Sequence, residues 1–174
     1  MGKPDPGWLK FNTDGSLNGS VGTAAGGGLI REEFGNWVIG FSRKIGRTDS
    51  FVAELWALRD DLQLCRQLNA CAVLIELDAK SLVDALNNSS YYNFVISPLL
   101  DDCKLLMDQT PQVRIKHTYR EANKCADHLA NLGLFQFVDF LVHTDPPVKL
   151  FPLIEADLRG TCYNRLCPGF SSFS

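Results

Sequence analysis

Residues 72–78, AVLIELD, are apolar on both parities of the chain. A strand reads this way when both of its faces are covered, so the segment calls for a sheet with packing elements on either side. The segments around it supply them. Leu9, Phe11 and Thr13 alternate with Lys10, Asn12 and Asp14, a period-2 strand expected to stop at Gly15 with Asp14 at its exit. AAGGGLIRE and NWVIGFSRKI are apolar runs joined by Glu32, Glu33, Phe34 and Gly35, so with the first strand they read as a three-stranded antiparallel meander. Glycines 26–28 are not a phosphate loop, because no helix start and no Lys-Ser/Thr pair follows them.

From Ser50 the period changes. Phe51, Leu55, Leu58, Leu62 and Cys65 form the apolar stripe of an amphipathic helix that ends near Leu68-Asn69. KSLVDALNN reads as a short helix after the central strand. Ser97 before Pro98 predicts an N-cap followed by a helix to about Gln109. QVRIKHTY alternates as a fifth strand, and EANKCADHLANLG closes as a helix with Gly133 as its C-cap. The expected fold is α/β: a mixed five-stranded sheet, three antiparallel strands plus two more, with helices on both faces. At 174 residues and 45% hydrophobic, the chain suits one well-buried core. Residues 1–7 read as a flexible lead-in, 8–134 as the domain and 135–174 as an extension without an assigned role.

Composition narrows the function classes. No apolar run approaches the roughly 20 residues of a membrane-spanning helix, and MGKPDPGW lacks a signal-peptide pattern. An intracellular protein, nuclear or cytoplasmic and not secreted, is expected. Of six cysteines, four lie in apolar segments, as reduced buried thiols do, and Cys162 with Cys167 lacks a second ligand pair for zinc. A net charge of −3 argues against a strongly basic nucleic-acid binder, although a local basic face would escape that sum.

Four carboxylates stand out. Asp14 and Asp78 each end a strand, where sites in α/β sheets concentrate. Glu54 lies three residues after Phe51, roughly 60° from the centre of the apolar stripe, and so leans toward the sheet. Asp127 follows Ala126 and precedes Leu129 and Ala130, bordering the buried face of the last helix. Singly, each has an ordinary alternative: a turn aspartate, a solvated glutamate, a strand-end aspartate, and a helix-flank aspartate paired with Lys124. Together they imply anions converging at one sheet edge, which must take up protons or bind a cation. Oxygen-only ligands suit Mg²⁺ or Mn²⁺, and a pair of such ions can drive phosphodiester hydrolysis.

The segments FNTDGS, FVAELWALRDDL, IELDAKSLVDAL and YREANKCADHLAN resemble, in order and spacing, the four acidic motifs of the ribonuclease H family. The likeness is greatest to the ribonuclease H-like domains that plant genomes carry as descendants of retroelement reverse transcriptases, and it covers about residues 8 to 134. It implies a monomeric, Mg²⁺-dependent endonuclease, Mn²⁺ substituting, that cuts the RNA strand of RNA–DNA hybrids. The alternative is a domesticated domain that binds nucleic acid or a protein without turnover.

By this resemblance Asp14, Glu54, Asp78 and Asp127 hold two ions, with Asp14 bridging. Gly15, Ser16, Ser50 and Arg120 fall at substrate-contact positions. His117, ten residues before Asp127, has the spacing of a histidine that assists product departure, and an ordinary half-buried strand histidine is the other reading. Two departures are visible: the link after Leu86 is short and nearly uncharged, with no basic projection, and Ala79 follows Asp78 where many relatives have serine. Basic residues gather in Arg43, Lys44 and Arg47, and again in Arg114, Lys116, Arg120 and Lys124, as a phosphate track or as solvated surface charge.

Overall fold

The computed structural model describes residues 3–160. Its strands are β1 (Leu9–Asn18), β2 (Thr23–Arg31), β3 (Trp37–Arg47), β4 (Ala72–Leu77), β5 (Gln112–His117) and β6 (Phe140–His143). Its helices are α1 (Ser50–Gln67), α2 (Lys80–Asn87), α3 (Ser97–Asp108), α4 (Lys124–Phe135) and α5 (Phe151–Leu158). The sheet order is β5-β4-β1-β2-β3-β6. Strands β1, β2 and β3 form the antiparallel meander, β4 and β5 join parallel to β1, and β6 pairs antiparallel with β3.

The expected α/β fold with helices on both faces is therefore present, with six strands among the described residues rather than five. The extra strand, β6, comes from the segment whose pattern decays after Phe135; it has only four residues, too few for alternation to register. Its link to α4 is held by Gln136, whose side-chain Nε2 donates to the Ser42 carbonyl oxygen at 3.1 Å.

The glycine run of β2 shows how the two faces are covered. Neighbouring residues of a strand point to opposite sides. A Cβ at Gly26 would lie 3.2 Å from Ala57 Cβ of α1, and one at Gly28 would lie 2.2 Å from the Asp61 carboxylate of the same helix. One at Gly27 would lie 2.2 Å from the Ala130 nitrogen of α4. The run permits two helix backbones to sit close against opposite faces of one strand. Gly133 has the same role: it lies inside α4, where a Cβ would meet the Arg43 carbonyl oxygen at 2.5 Å, so the helix continues past the expected C-cap to Phe135.

On the α1 face, Phe11, Ile30, Phe41, Leu55, Leu58, Leu62, Ile75 and Leu100 form the larger core. On the other, Leu29, Ala126 and Leu129 pack with Leu150 and Ile154 from the C-terminal segment. The second face also covers charge. Lys10 reaches Glu76 at 3.0 Å and Arg31 reaches Asp157 of α5 at 2.9 Å, while Asn12 donates to Glu76 at 3.0 Å. The polar residues of β1 are thus buried along with its apolar ones, Lys10 at 4% and Asn12 at 1% exposure.

Local starts and stops follow side-chain chemistry. Asp49 caps α1 by accepting from the Val52 amide at 2.9 Å, and Asn69 leaves the helix at φ 52°. Ser97 is the first residue of α3, not its cap: Ile96 precedes the helix, and the Ser97 hydroxyl accepts from the Asn93 amide at 2.9 Å. Cys65, Cys103 and Cys125 are buried free thiols, whereas Cys71 is exposed; Cys162 and Cys167 lie outside the described residues. No helix among the described residues is long and apolar enough to cross a membrane.

Asp61 is fully buried on α1, and neither carboxylate oxygen has a hydrogen-bond partner. Burial first, and the neighbouring Asp60 second, push its pKa well above the ordinary carboxylate value. A raised folded-state pKa means stability that is complete below the unfolded value, about pH 4, and is lost as pH rises toward the folded value. Asp61→Ala is therefore expected to stabilise the protein at pH 8 by roughly 1–3 kcal/mol, with the gain shrinking toward pH 4. Urea unfolding at the two pH values measures it, and equal midpoints for variant and wild type at pH 8 would show that the carboxylate is satisfied.

Candidate active site

Asp14 lies in the middle of β1, paired with Gly27, because β1 runs on through Gly15 to Asn18. Gly15 is no turn residue. A Cβ there would stand 2.7 Å from the Glu54 nitrogen and 2.9 Å from Ala53, so the glycine lets the first turns of α1 rest on the strand. That contact brings Glu54 to Asp14. On the other side, β4 accompanies β1 only as far as the Asn12–Glu76 pair. Asp78 follows the last residue of β4 and stands where the two strands part. One carboxylate oxygen from each of Asp14, Glu54 and Asp78 falls within 4.8 Å of the others.

This group is poorly hydrated and internally repulsive. Asp14 is 2% exposed and Glu54 8%. Asp14 Oδ1, Glu54 Oε2 and Asp78 Oδ1 are buried without a hydrogen-bond partner. Burial, then the charges of Glu54 and Asp78, push the Asp14 carboxyl up to about 10. Burial, then Asp78, push Glu54 up to about 7 against hydrogen bonds from the Asp14 side chain and the Gly15 backbone. Asp78 is raised by burial and partly relieved by Arg120. Three orphaned buried oxygens on three converging anions are what an oxygen-preferring divalent cation satisfies, so the residues present fit Mg²⁺ or Mn²⁺.

Asp127 is exposed in the first turn of α4 and outside the 4.8 Å group. Its charge nevertheless acts on both Asp14 and Asp78, raising each. It faces the group from the helix opposite α1. Around the rim, Arg120 Nε stands 3.7 Å from Asp78 Oδ2 with its side chain 82% exposed. His117 is exposed at the end of β5, not half-buried, and its Nε2 lies 3.2 Å from the Asp78 carbonyl oxygen. The Tyr119 ring meets the His117 ring edge-on at 5.7 Å. Ser16 donates to Asn131 Oδ1 of α4 at 2.7 Å. Ser50 is the exposed first residue of α1, and no hydrogen bond among the described residues joins it to the carboxylates.

The two basic segments divide. Arg43 is committed to Asp60, with Nη2–Oδ1 at 3.0 Å, and lies over the rings of Trp56 and Phe140. Arg114 pairs with Asp5 at 2.6 Å and covers Trp8 at 4.1 Å. Lys44, Arg47, Lys116 and Arg120 are exposed. The link between α2 and α3 presents exposed Tyr92, Phe94 and Val95 rather than cations. Asn123 escaped the sequence reading, which ran the last helix from Glu121. A 3-10 turn at Arg120–Ala122 precedes α4, and an asparagine directly before a helix was the available signal.

Residues 12–133 match the family model described as reverse transcriptase-like. The chain belongs to that family. The chain is 34% identical over 91% of its length to an Arabidopsis thaliana protein provisionally named a ribonuclease H protein. It spans 26% of that relative, about a quarter. Among solved structures, RNase H1 of the halophilic archaeon Halobacterium salinarum is 25% identical, with a TM-score of 0.66 over 73% of this chain and 97% of that one. LC11-RNase H1, solved in complex with an RNA/DNA hybrid, is also 25% identical, with a TM-score of 0.63 over 72% of this chain and 96% of that one. The domain has the RNase H-like fold.

Proposed function

We propose that this domain is a metal-dependent endonuclease that hydrolyses the RNA strand of RNA–DNA hybrids. The observation that carries the reading is the meeting of Asp14, Glu54 and Asp78 within 4.8 Å, each with a buried oxygen lacking a partner. The Arabidopsis relative's name and the hybrid-bound LC11-RNase H1 support the substrate class.

Asp14, Glu54 and Asp78 would hold Mg²⁺ or Mn²⁺, with Asp127 completing the place for a second ion from α4. When bound, such ions supply Lewis acidity at a phosphate oxygen and a water acidic enough to attack near neutral pH. The protein's own residues do the rest. Asp14 is shared by both halves of the group, since Glu54, Asp78 and Asp127 all act on it. Gly15 and Ser16 lie next along β1, where a backbone group and a hydroxyl can meet a 2′-hydroxyl and so tell RNA from DNA. Arg120 is exposed beside Asp78 and available to a backbone phosphate. His117, whose Nε2 lies 3.2 Å from the Asp78 carbonyl oxygen, is the proposed proton donor for departure of the cut end.

The test is cleavage of a labelled hybrid with Mg²⁺, with duplex RNA and duplex DNA as controls. Wild type is expected to cut the RNA strand of the hybrid alone. Asp78→Asn is expected to bind the hybrid and to lose activity on the order of a hundredfold or more. Binding without cleavage by wild type, at any Mg²⁺ or Mn²⁺ concentration, would replace this reading with that of a non-catalytic nucleic-acid binder.

A further inference from the structure

Asn123 is polar, 1% exposed, and sits at the joint between the 3-10 turn and α4. Its Nδ2 donates to the Thr13 carbonyl oxygen at 2.7 Å. Thr13 is the residue before Asp14. The Asn123 backbone carbonyl accepts from the Asp127 amide at 3.1 Å. One residue therefore ties the strand immediately behind Asp14 to the turn of helix that carries Asp127. The side chain does not cap α4, since it makes no cap hydrogen bond there. Its buried Oδ1 is also unpartnered, so the bond its Nδ2 donates is the contact its amide makes among the described residues.

We propose that Asn123 is a positioning residue that sets the distance between Asp127 and Asp14, and through it the affinity of the carboxylate group for divalent cation. The inference rests on the function proposed above. Asp127 sits on a helix pressed to the sheet through Gly27 and Gly133, but those contacts restrain the middle and end of α4. Just before its first residue, the Asn123–Thr13 bond ties the start of α4 to the strand bearing Asp14. Loss of the bond frees the first turn to shift along the sheet, and a misplaced carboxylate weakens cation binding without altering the surface that meets nucleic acid.

The experiment compares the full chain with Asn123→Ser, which keeps a residue suited to a helix start, and Asn123→Asp, which keeps the shape but cannot donate. Gln136→Ala is the control; it removes a side-chain bond to the Ser42 carbonyl at the far end of the same helix. Melting temperature is recorded while Mg²⁺ or Mn²⁺ is titrated, and hybrid cleavage is measured separately. Both Asn123 variants are expected to need roughly tenfold more cation for the half-maximal rise in melting temperature, with kcat down roughly tenfold and KM within about twofold. Gln136→Ala is expected to melt lower but to keep the wild-type cation midpoint. A wild-type midpoint in the Asn123 variants, or an equal displacement in Gln136→Ala, overturns the proposal. If wild type responds to cation but cleaves no hybrid, the nuclease reading fails alone, and the melting titration still decides on Asn123. Should one variant fail to fold, the other supplies the midpoint.

Discussion

Asp14→Asn is expected to melt higher than wild type in cation-free buffer at pH 8, to lose the rise in melting temperature that Mg²⁺ produces, and to cleave no hybrid measurably. Asp14 is buried among Glu54, Asp78 and Asp127, and its carboxyl is pushed up to about 10. Since that folded value lies above the unfolded one, the group's contribution to stability is complete below about pH 4 and is lost as pH rises toward the folded value. At pH 8 wild type must therefore take up a proton at Asp14 to fold, which an asparagine does not need, so the variant should gain on the order of 2 kcal/mol at that pH. Glu54, raised to about 7, adds to the wild-type loss across neutral pH. The same substitution removes the carboxylate that the other acidic residues all act on, the proposed shared ligand. Cleavage should fall on the order of a thousandfold, equivalent to roughly 4 kcal/mol of transition-state stabilisation. A variant that is more stable yet inactive separates a functional carboxylate from a structural one. Retention of the Mg²⁺ response and of cleavage would remove Asp14 from the site.

Gly27→Ala is expected to be the most damaging single methyl addition in the domain. The new Cβ would lie 2.2 Å from the Ala130 nitrogen and 2.4 Å from the Leu129 carbonyl carbon, both backbone atoms of a helix that cannot move aside without leaving the sheet. The expected cost is about 3 kcal/mol, at the upper end for overpacking a core. Because Gly27 pairs with Asp14 while its face meets α4, the displacement also moves Asp127, and activity should fall with stability. Gly19→Ala is the comparison: nothing stands within 4 Å of its added Cβ, and its stability should change by no more than about 0.5 kcal/mol. Urea unfolding distinguishes them. A Gly27 variant as stable as the Gly19 variant would mean that α4 rides further from the sheet.

The comparison of these glycines marks where local pattern ceases to inform. Periodicity reports which side of an element a residue occupies, and that was enough to place β4 between two covered faces, α1 over its apolar stripe and β5 after α3. It was also enough to aim Glu54 toward the sheet. Asp14 at a strand end was wrong because Gly15 read as punctuation, whereas its missing side chain makes room for α1 while β1 continues. Gly133 failed as a C-cap for the same reason on the opposite face. Lys10, Asn12 and Glu76 look like solvent-facing polar residues, and their contacts with one another, joined by Arg31 and Asp157 from far away in the chain, make their burial tolerable.

The sequence by itself determined the order of strands and helices through α4 and the central strand clad on both faces, and it singled out four acidic residues as candidates, since these readings follow from side-chain chemistry at short spacing. Tertiary structure decided that Asp14, Glu54 and Asp78 meet within 4.8 Å while Asp127 stands outside, facing them from α4. It also decided that the segment after α4 supplies a strand and a helix to the same body. The physical reason is common to both: convergence depends on how closely helix backbones approach the sheet and on where β4 leaves β1, and such distances are set by contacts between residues remote in the chain.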